Sequence, residues 1–176
     1  QGLLMANCFS TEKDVLSQWR AYADDGKGYV VGFNAENLLG LPIRALKVLY
    51  NKEQQIKEAA AGIDALFLIK QENICDFKAL CGGYGYDLSA FKNPAFSEEK
   101  EIRLIHLLDF QRSNDFLKLV DKGGLYFGEE RTGEQVKFRI KQDIPTPYIE
   151  FDFTNNGKIN PIKEVIIGPK NDVKVS

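Results

Sequence analysis

The first apolar block is Leu3–Phe9, broken only by Asn7, and it predicts a buried strand. Ser10 and Thr11 follow, with Asp14 three residues after Thr11, a pattern that predicts a capped helix start. Val15, Leu16, Trp19, Tyr22 and Ala23 recur at helical spacing, so an amphipathic helix is expected to about Asp24, stopped by Gly26 and Gly28. Gly28–Phe33 reads as the next strand, with Tyr29, Val30 and Val31 supplying β propensity. Gly32 inside it predicts a bulge or the close approach of another group. Ala35–Leu39 fits one helical turn, and Ile43–Tyr50 alternates like a third strand. From Lys52 to about Leu80, Ile56, Ala59, Ala60, Ile63, Leu66, Phe67 and Ile74 predict helix, broken once. Gly82–Tyr86, rich in glycine and tyrosine, reads as a flexible loop, and Pro94 limits any helix over Leu88–Phe96.

Ile102–Leu108 is almost wholly apolar and reads as a buried strand. Asp109–Gly124 is expected as a helix or long loop with Phe116, Leu117 and Val120 inward. Short strands follow at Leu125–Gly128, Val136–Ile140, Tyr148–Phe153 and Ile162–Ile167, separated by turn residues such as Thr132-Gly133 and Asn155-Asn156-Gly157. Strands dominate and often follow one another directly. The pattern predicts an α+β fold with a mixed, mostly antiparallel sheet and a helical insertion at about 52–80, rather than a doubly wound parallel sheet. The 176 residues suit one domain over 1–176. Gln1 opens the chain and it stops at the strand-like Val173–Ser176, so the expectation is a domain cut short at both ends.

Composition narrows the function classes. The chain is 44% hydrophobic and 27% charged, as in ordinary soluble globular proteins. A net charge of −2 gives no strong nucleic-acid signal, because bulk electrostatic binding needs a cationic surplus. Cys8, Cys75 and Cys81 make an odd count without a CxxC, and there is one histidine, which speaks against a disulfide scaffold or a zinc site. A reducing, cytoplasmic setting follows as the expectation. No apolar run approaches the roughly 20 residues of a membrane span, so no membrane partner is expected.

The strongest candidate chemistry is Glu99-x-Glu101-x-Arg103. Side chains alternate across a strand, so a strand beginning by Glu99 sets all three on one face. A carboxylate at a sheet rim can stabilise an oxocarbenium-like centre or polarise a hydroxyl, and a second can share that work. The competing reading is an edge ion pair between Arg103 and Glu101. Ser10 and Thr11, at a strand end entering a helix, can hold a phosphate or amide, or one of them can simply cap the helix. Trp19 and Tyr22 share a helix face and fit either an aromatic wall for a planar ligand or a core anchor. His106, among leucines, reads as a core histidine.

Four segments carry a resemblance: Cys8-Phe9-Ser10; Trp19-x-x-Tyr22-Ala23 with Gly28-x-x-x-Gly32-Phe33; Phe96-x-x-Glu99-x-Glu101-x-Arg103-Leu104; and Ile162-x-x-Val165-Ile166-Ile167-Gly168-Pro169. Together they resemble a bacterial family catalogued as domain of unknown function 2971. Ile102 stands where that family often has tryptophan, and the family's usual opening strand with Tyr and Arg has no counterpart here. The order of Ser10-Thr11, the Trp19 helix, the Gly28 strand and Glu99-x-Glu101 also resembles ADP-ribosyltransferase architecture, without that group's first-motif Arg or His. This second resemblance implies NAD as substrate and an enzyme of toxin or phage-defence type. Glu101 would stabilise the ribosyl cation, Glu99 would assist, Ser10 would support Glu101, and Tyr22 would stack on nicotinamide. Thr11, Trp19 and Arg103 complete the implied nucleotide-binding set, with no metal. The alternative is a non-catalytic module that recruits a protein partner, with Trp19, Tyr22 and Arg103 structural.

Overall fold

A computed structural model describes residues 2–70, 74–113 and 116–172. The elements in chain order are β1 (Gly2–Ser10), α1 (Leu16–Tyr22), β2 (Tyr29–Phe33), α2 (Ala35–Leu38), β3 (Arg44–Lys47), α3 (Lys52–Lys70), α4 (Ile74–Leu88), β4 (Glu101–Ser113), β5 (Phe116–Val120), β6 (Gly124–Tyr126), β7 (Glu129–Arg131), β8 (Lys137–Lys141), β9 (Ile144–Tyr148) and β10 (Ile162–Ile167). The fold is α+β, as the pattern predicts, with mostly antiparallel strands. β1, β4 and β3 are hydrogen-bonded in that order and β5 pairs with β4. β10–β2, β6–β7 and β8–β9 form two-stranded ribbons. Among the described residues no helix is long and apolar enough to cross a membrane. The strand-like Val173–Ser176 lies outside the described residues.

The chain divides into two compact units, Gln1–Ala6 with Lys13–Arg44 and His106–Ser176, and Asn7–Glu12 with Ala45–Ile105. In the first unit β10 lies antiparallel on β2, and its register shifts between Ile162 and Glu164. Glu164 lies over Gly32, where an added Cβ would sit 2.7 Å from the Glu164 Cγ. The glycine expected to mark a bulge or close approach meets both. Trp19 is buried and its Nε1 donates to the Asp14 carboxylate at 2.8 Å. That bond uses the Asp14 side chain, and α1 starts at Leu16 with no side-chain cap, which corrects the capped start expected at Ser10-Thr11. His106 is buried, as expected of a core histidine, with Nδ1 2.6 Å from the Pro42 carbonyl and Nε2 2.8 Å from Asp121. Burial raises the Asp121 carboxyl, but N–H bonds from Gly123, Glu134 and His106 outweigh it and hold the group below its usual range.

Two strand assignments in this unit differ from expectation. Asp109–Gly124 is neither helix nor long loop: β4 runs to Ser113 and pairs back on β5, with Phe110 opposite Leu119 and Arg112 opposite Leu117. The spacing of Phe116, Leu117 and Val120 suits a helix, but pairing with β4 decides the outcome. The strand expected at Tyr148–Phe153 lies earlier, at Ile144–Tyr148, where two prolines mask it.

The second unit holds the helical insertion. Helix covers Lys52–Lys70 and Ile74–Leu88, and the one break expected in it falls on residues outside the described ones; α4 runs on through Gly82–Tyr86, the segment expected as a loop, to Leu88. Glycine disfavours helix by about 1 kcal/mol per residue. The compensating contact is Tyr84, whose ring covers Gly62 of α3 and whose hydroxyl donates to the Ala59 carbonyl at 2.8 Å. Val48, Ala90 and Ile105 are buried in this unit.

Gly62 and Gly82 should respond oppositely to alanine. An added Cβ at Gly62 would lie 2.1 Å from Tyr84 Cε2, whereas one at Gly82 meets nothing within 4 Å. Urea denaturation should show Gly62→Ala destabilised by about 1–3 kcal/mol and Gly82→Ala stabilised by about 0.5–1 kcal/mol.

Candidate functional site

The site lies in the second unit and begins where α4 ends. Lys92 N donates to Leu49 O at 3.2 Å, which positions Lys92 beside the segment that follows β3. Asn93 then caps a 3₁₀ turn, Pro94–Glu99, by accepting from Ala95 N, and Pro94 supplies a preset first position. Lys100 closes the turn in the left-handed region at φ 45° and redirects the chain, so that β4 starts at Glu101. This corrects the expectation that Glu99 shares a strand face with Glu101: Glu99 is in the turn.

The two carboxylates nevertheless converge. Lys92 Nζ lies 2.5 Å from Glu99 Oε2 and 2.7 Å from Glu101 Oε2. Arg103 Nε donates to the other Glu101 oxygen, Oε1, at 2.7 Å, and its Nη1 donates to the Ser89 carbonyl. The Cys8 thiol also hydrogen-bonds to Glu101. The Glu101 side chain is only 4% exposed. Both of its oxygens therefore face cations, and the cluster of Lys92, Arg103, Glu99 and Glu101 is neutral overall.

Burial pushes the Glu101 carboxyl up, but hydrogen bonds from Arg103, Cys8 and Lys92 overcome it and bring the group down to about 2. Burial likewise opposes the charge on Lys92, and its two carboxylate partners outweigh it, holding the ammonium above its usual range. Partial burial and the Glu101 carboxylate push the Cys8 thiol up to about 11. The cluster thus holds a fixed carboxylate and a protonated thiol, and neither is poised for proton transfer near neutrality.

Ser10 and Thr11 stand beside this cluster. Ser10 Oγ donates to Glu99 O at 2.7 Å and accepts from Glu12 N at 3.0 Å, and Thr11 N donates to Lys100 O at 3.1 Å. Trp19 and Tyr22 belong to the first unit. Trp19 is 4% exposed and Tyr22 75%, and both line a pocket of about 90 Å³ with Gln18, Tyr29 and Val30. Ser10, Thr11, Glu99, Glu101 and Arg103 are therefore brought together in the second unit, while Trp19 and Tyr22 meet in the first.

Sequence reasoning missed Lys92 and Cys8. Lys92 precedes Glu99 by seven positions and reaches it through the Pro94 turn, a spacing that no strand or helix periodicity marks. The only signal is Asn93-Pro94 as a turn start placed between the cation and the carboxylates.

A model of a family described as "Protein of unknown function (DUF2971)" matches residues 18–104, just under half of the chain, and supports the family resemblance. The Trp19, Gly28 and Glu99 segments fall inside the match, and the Cys8 and Ile162 segments fall outside it. No curated protein and no solved structure matches the chain. The comparisons lend no support to the ADP-ribosyltransferase resemblance.

The clamp on Cys8 has a measurable consequence. Cys8 is exposed, yet its thiol is held protonated up to about 11. Its alkylation by iodoacetamide at pH 8, read by peptide mass spectrometry, should be slow. Glu101→Gln, which removes the anion but not the burial, should accelerate it severalfold.

Proposed function

We propose that the chain is a non-catalytic, protein-binding module in which Glu101 and its cations are a structural clamp. The observation that carries this reading is the burial of Glu101 between its cations: the side chain is 4% exposed, with one carboxylate oxygen 2.7 Å from Lys92 and the other 2.7 Å from Arg103. A carboxylate that stabilises a ribosyl cation must turn an oxygen toward substrate. Exposed apolar surface adds support. Ile56, Ile63 and Phe67 recur at spacings of seven and four on one face of α3 and remain exposed.

One observation favours the NAD-using, ADP-ribosyltransferase-like reading instead. The hydrogen bonds of Ser10 and Thr11 to Glu99 and Lys100 set a Ser-Thr strand end beside Glu-x-Glu, as that architecture requires. Calorimetry separates the two. The module reading expects no saturable NAD binding at millimolar NAD. Saturable binding that disappears in folded Glu101→Gln protein would establish the enzyme reading.

The clamp also predicts a pH dependence. Glu101 sits at about 2, against an ordinary 4.5. A carboxyl depressed on folding contributes stability above its unfolded value and loses it as pH falls toward its folded value. Glu101→Gln should be about 2 kcal/mol less stable than the parent at pH 7. The difference should shrink as pH falls from about 4.5 to about 2, followed by urea denaturation across that range.

A further inference from the structure

The β8–β9 ribbon of the first unit has two unlike edges and two unlike faces. Its turn, Gln142-Asp143, has φ values of 49° and 61°, the two-residue turn that suits strand twist. The register pairs Lys141 with Ile144, Ile140 with Pro145, Arg139 with Thr146, Phe138 with Pro147 and Lys137 with Tyr148. A two-residue turn is closed by a hydrogen-bonded pair, so Lys141–Ile144, Arg139–Thr146 and Lys137–Tyr148 exchange the ladder bonds. Pro145 and Pro147 then fall at positions whose nitrogens point away from β8. The outer edge of β9 lacks those two N–H donors and is closed to further pairing.

The outer edge of β8 is open. Phe138 and Ile140 direct their N–H and C=O groups away from β9, and no third strand joins the ribbon among the described residues. Their side chains are 61% and 68% exposed. They share one apolar face with Pro145 and Pro147, because directly opposed residues lie on the same side. The other face of β8 carries Lys137, Arg139 and Lys141 at alternate positions, about 7 Å apart. Lys137 is paired with Glu150 and the Arg139 guanidinium stacks 5.5 Å from the Tyr148 ring centre. Glu150 in contact and Glu134 at longer range therefore accompany three cations, which leaves the row a cationic surplus.

This pattern selects the occupant of the edge. In an antiparallel pairing with a second copy centred on Arg139, Lys137 of each copy would oppose Lys141 of the other and Arg139 would oppose itself. Like charges directly opposed destabilise a ladder. A one-residue slip would set the cationic row beside the apolar one. A strand with acidic residues at every second position satisfies both rows: its carboxylates face the cations, and its intervening apolar residues extend the Phe138–Ile140 face. We infer that the free edge of β8 takes an added strand from a protein partner, an extended segment alternating acidic and apolar residues. The inference names the partner chemistry of the binding module proposed above and rests on that reading.

The test is calorimetry of the full chain with a capped peptide of alternating glutamate and valine, and with its lysine–valine counterpart. The parent should bind the glutamate peptide, more weakly at high salt, and not the lysine peptide. Ile140→Pro removes an outward N–H and leaves the β8–β9 ladder bonds intact, and should weaken binding about tenfold or more. The double variant Arg139→Glu, Lys141→Glu should lose the glutamate peptide and take the lysine peptide, which keeps the test decisive if Ile140→Pro fails to fold. Undiminished binding by folded Ile140→Pro overturns the inference, as does equal binding of both peptides by the parent. So does a concentration-dependent dimer in sedimentation that Ile140→Pro abolishes, since the occupant would then be a second copy. A parent that binds neither the peptides nor NAD overturns strand docking and leaves the module reading standing. NAD binding lost in folded Glu101→Gln overturns the module reading whatever the peptides do.

Discussion

A carboxylate buried to 4% exposure must be answered by cations, and in the second unit the answer to Glu101 organises the chain around it. Its side chain takes Lys92 and Arg103, its backbone N–H donates to the Tyr50 hydroxyl, and its carbonyl accepts from Val48 N. Val48 and Tyr50 lead into α3, while Ser89, which Arg103 holds by its carbonyl, and Lys92 lead out of α4. One residue therefore fastens both the entry and the exit of the helical insertion. Losing the carboxylate would leave Arg103 and Lys92 with less compensation at both points.

That constraint bears directly on function. A catalytic carboxylate is held by its supporting groups but keeps an oxygen open to the substrate; Glu101 has a cation on each oxygen and is 4% exposed, which is what the clamp reading rests on. Its depression to about 2 comes, against burial, from the hydrogen bonds of Arg103, Cys8 and Lys92, whereas burial first and the Glu101 anion second push Cys8 up to about 11.

Local periodicity made much of the fold legible. β1, β2 and β10 follow from short apolar runs, and the helical insertion from the spacing of Ile56, Ile63 and Phe67. Three errors share one cause, which is that tertiary contacts overrode local preference. Gly82–Tyr86 is helical because Tyr84 finds Gly62 and the Ala59 carbonyl, neither of which a propensity scale contains. Phe116–Val120 is a strand because β4 continues to Ser113 and offers it a partner. Ser10 does not cap α1, which starts only at Leu16; β1 runs to Ser10 and its hydroxyl donates to the Glu99 carbonyl. At the site, Glu101 and Arg103 were legible as an alternating pair. Lys92 was not, since only the left-handed turn at Lys100 brings Glu99 and Glu101 to one ammonium.

The prolines of β9 show why a misleading feature can still be informative. Pro145 and Pro147 break the look of a strand, yet they occupy only positions whose nitrogens face outward, so they cost the ladder nothing. Proline at both outward positions of one edge and at neither of the other makes the ribbon one-sided. The cations then sit on the strand whose edge is open. A ribbon that needed only solubility could carry charge on either strand and proline on either edge. Concentrating the block on β9 and the charge on β8 leaves one direction of approach, the one along which the inferred acidic strand would be selected by charge. The asymmetry is what the inferred strand docking requires of this edge.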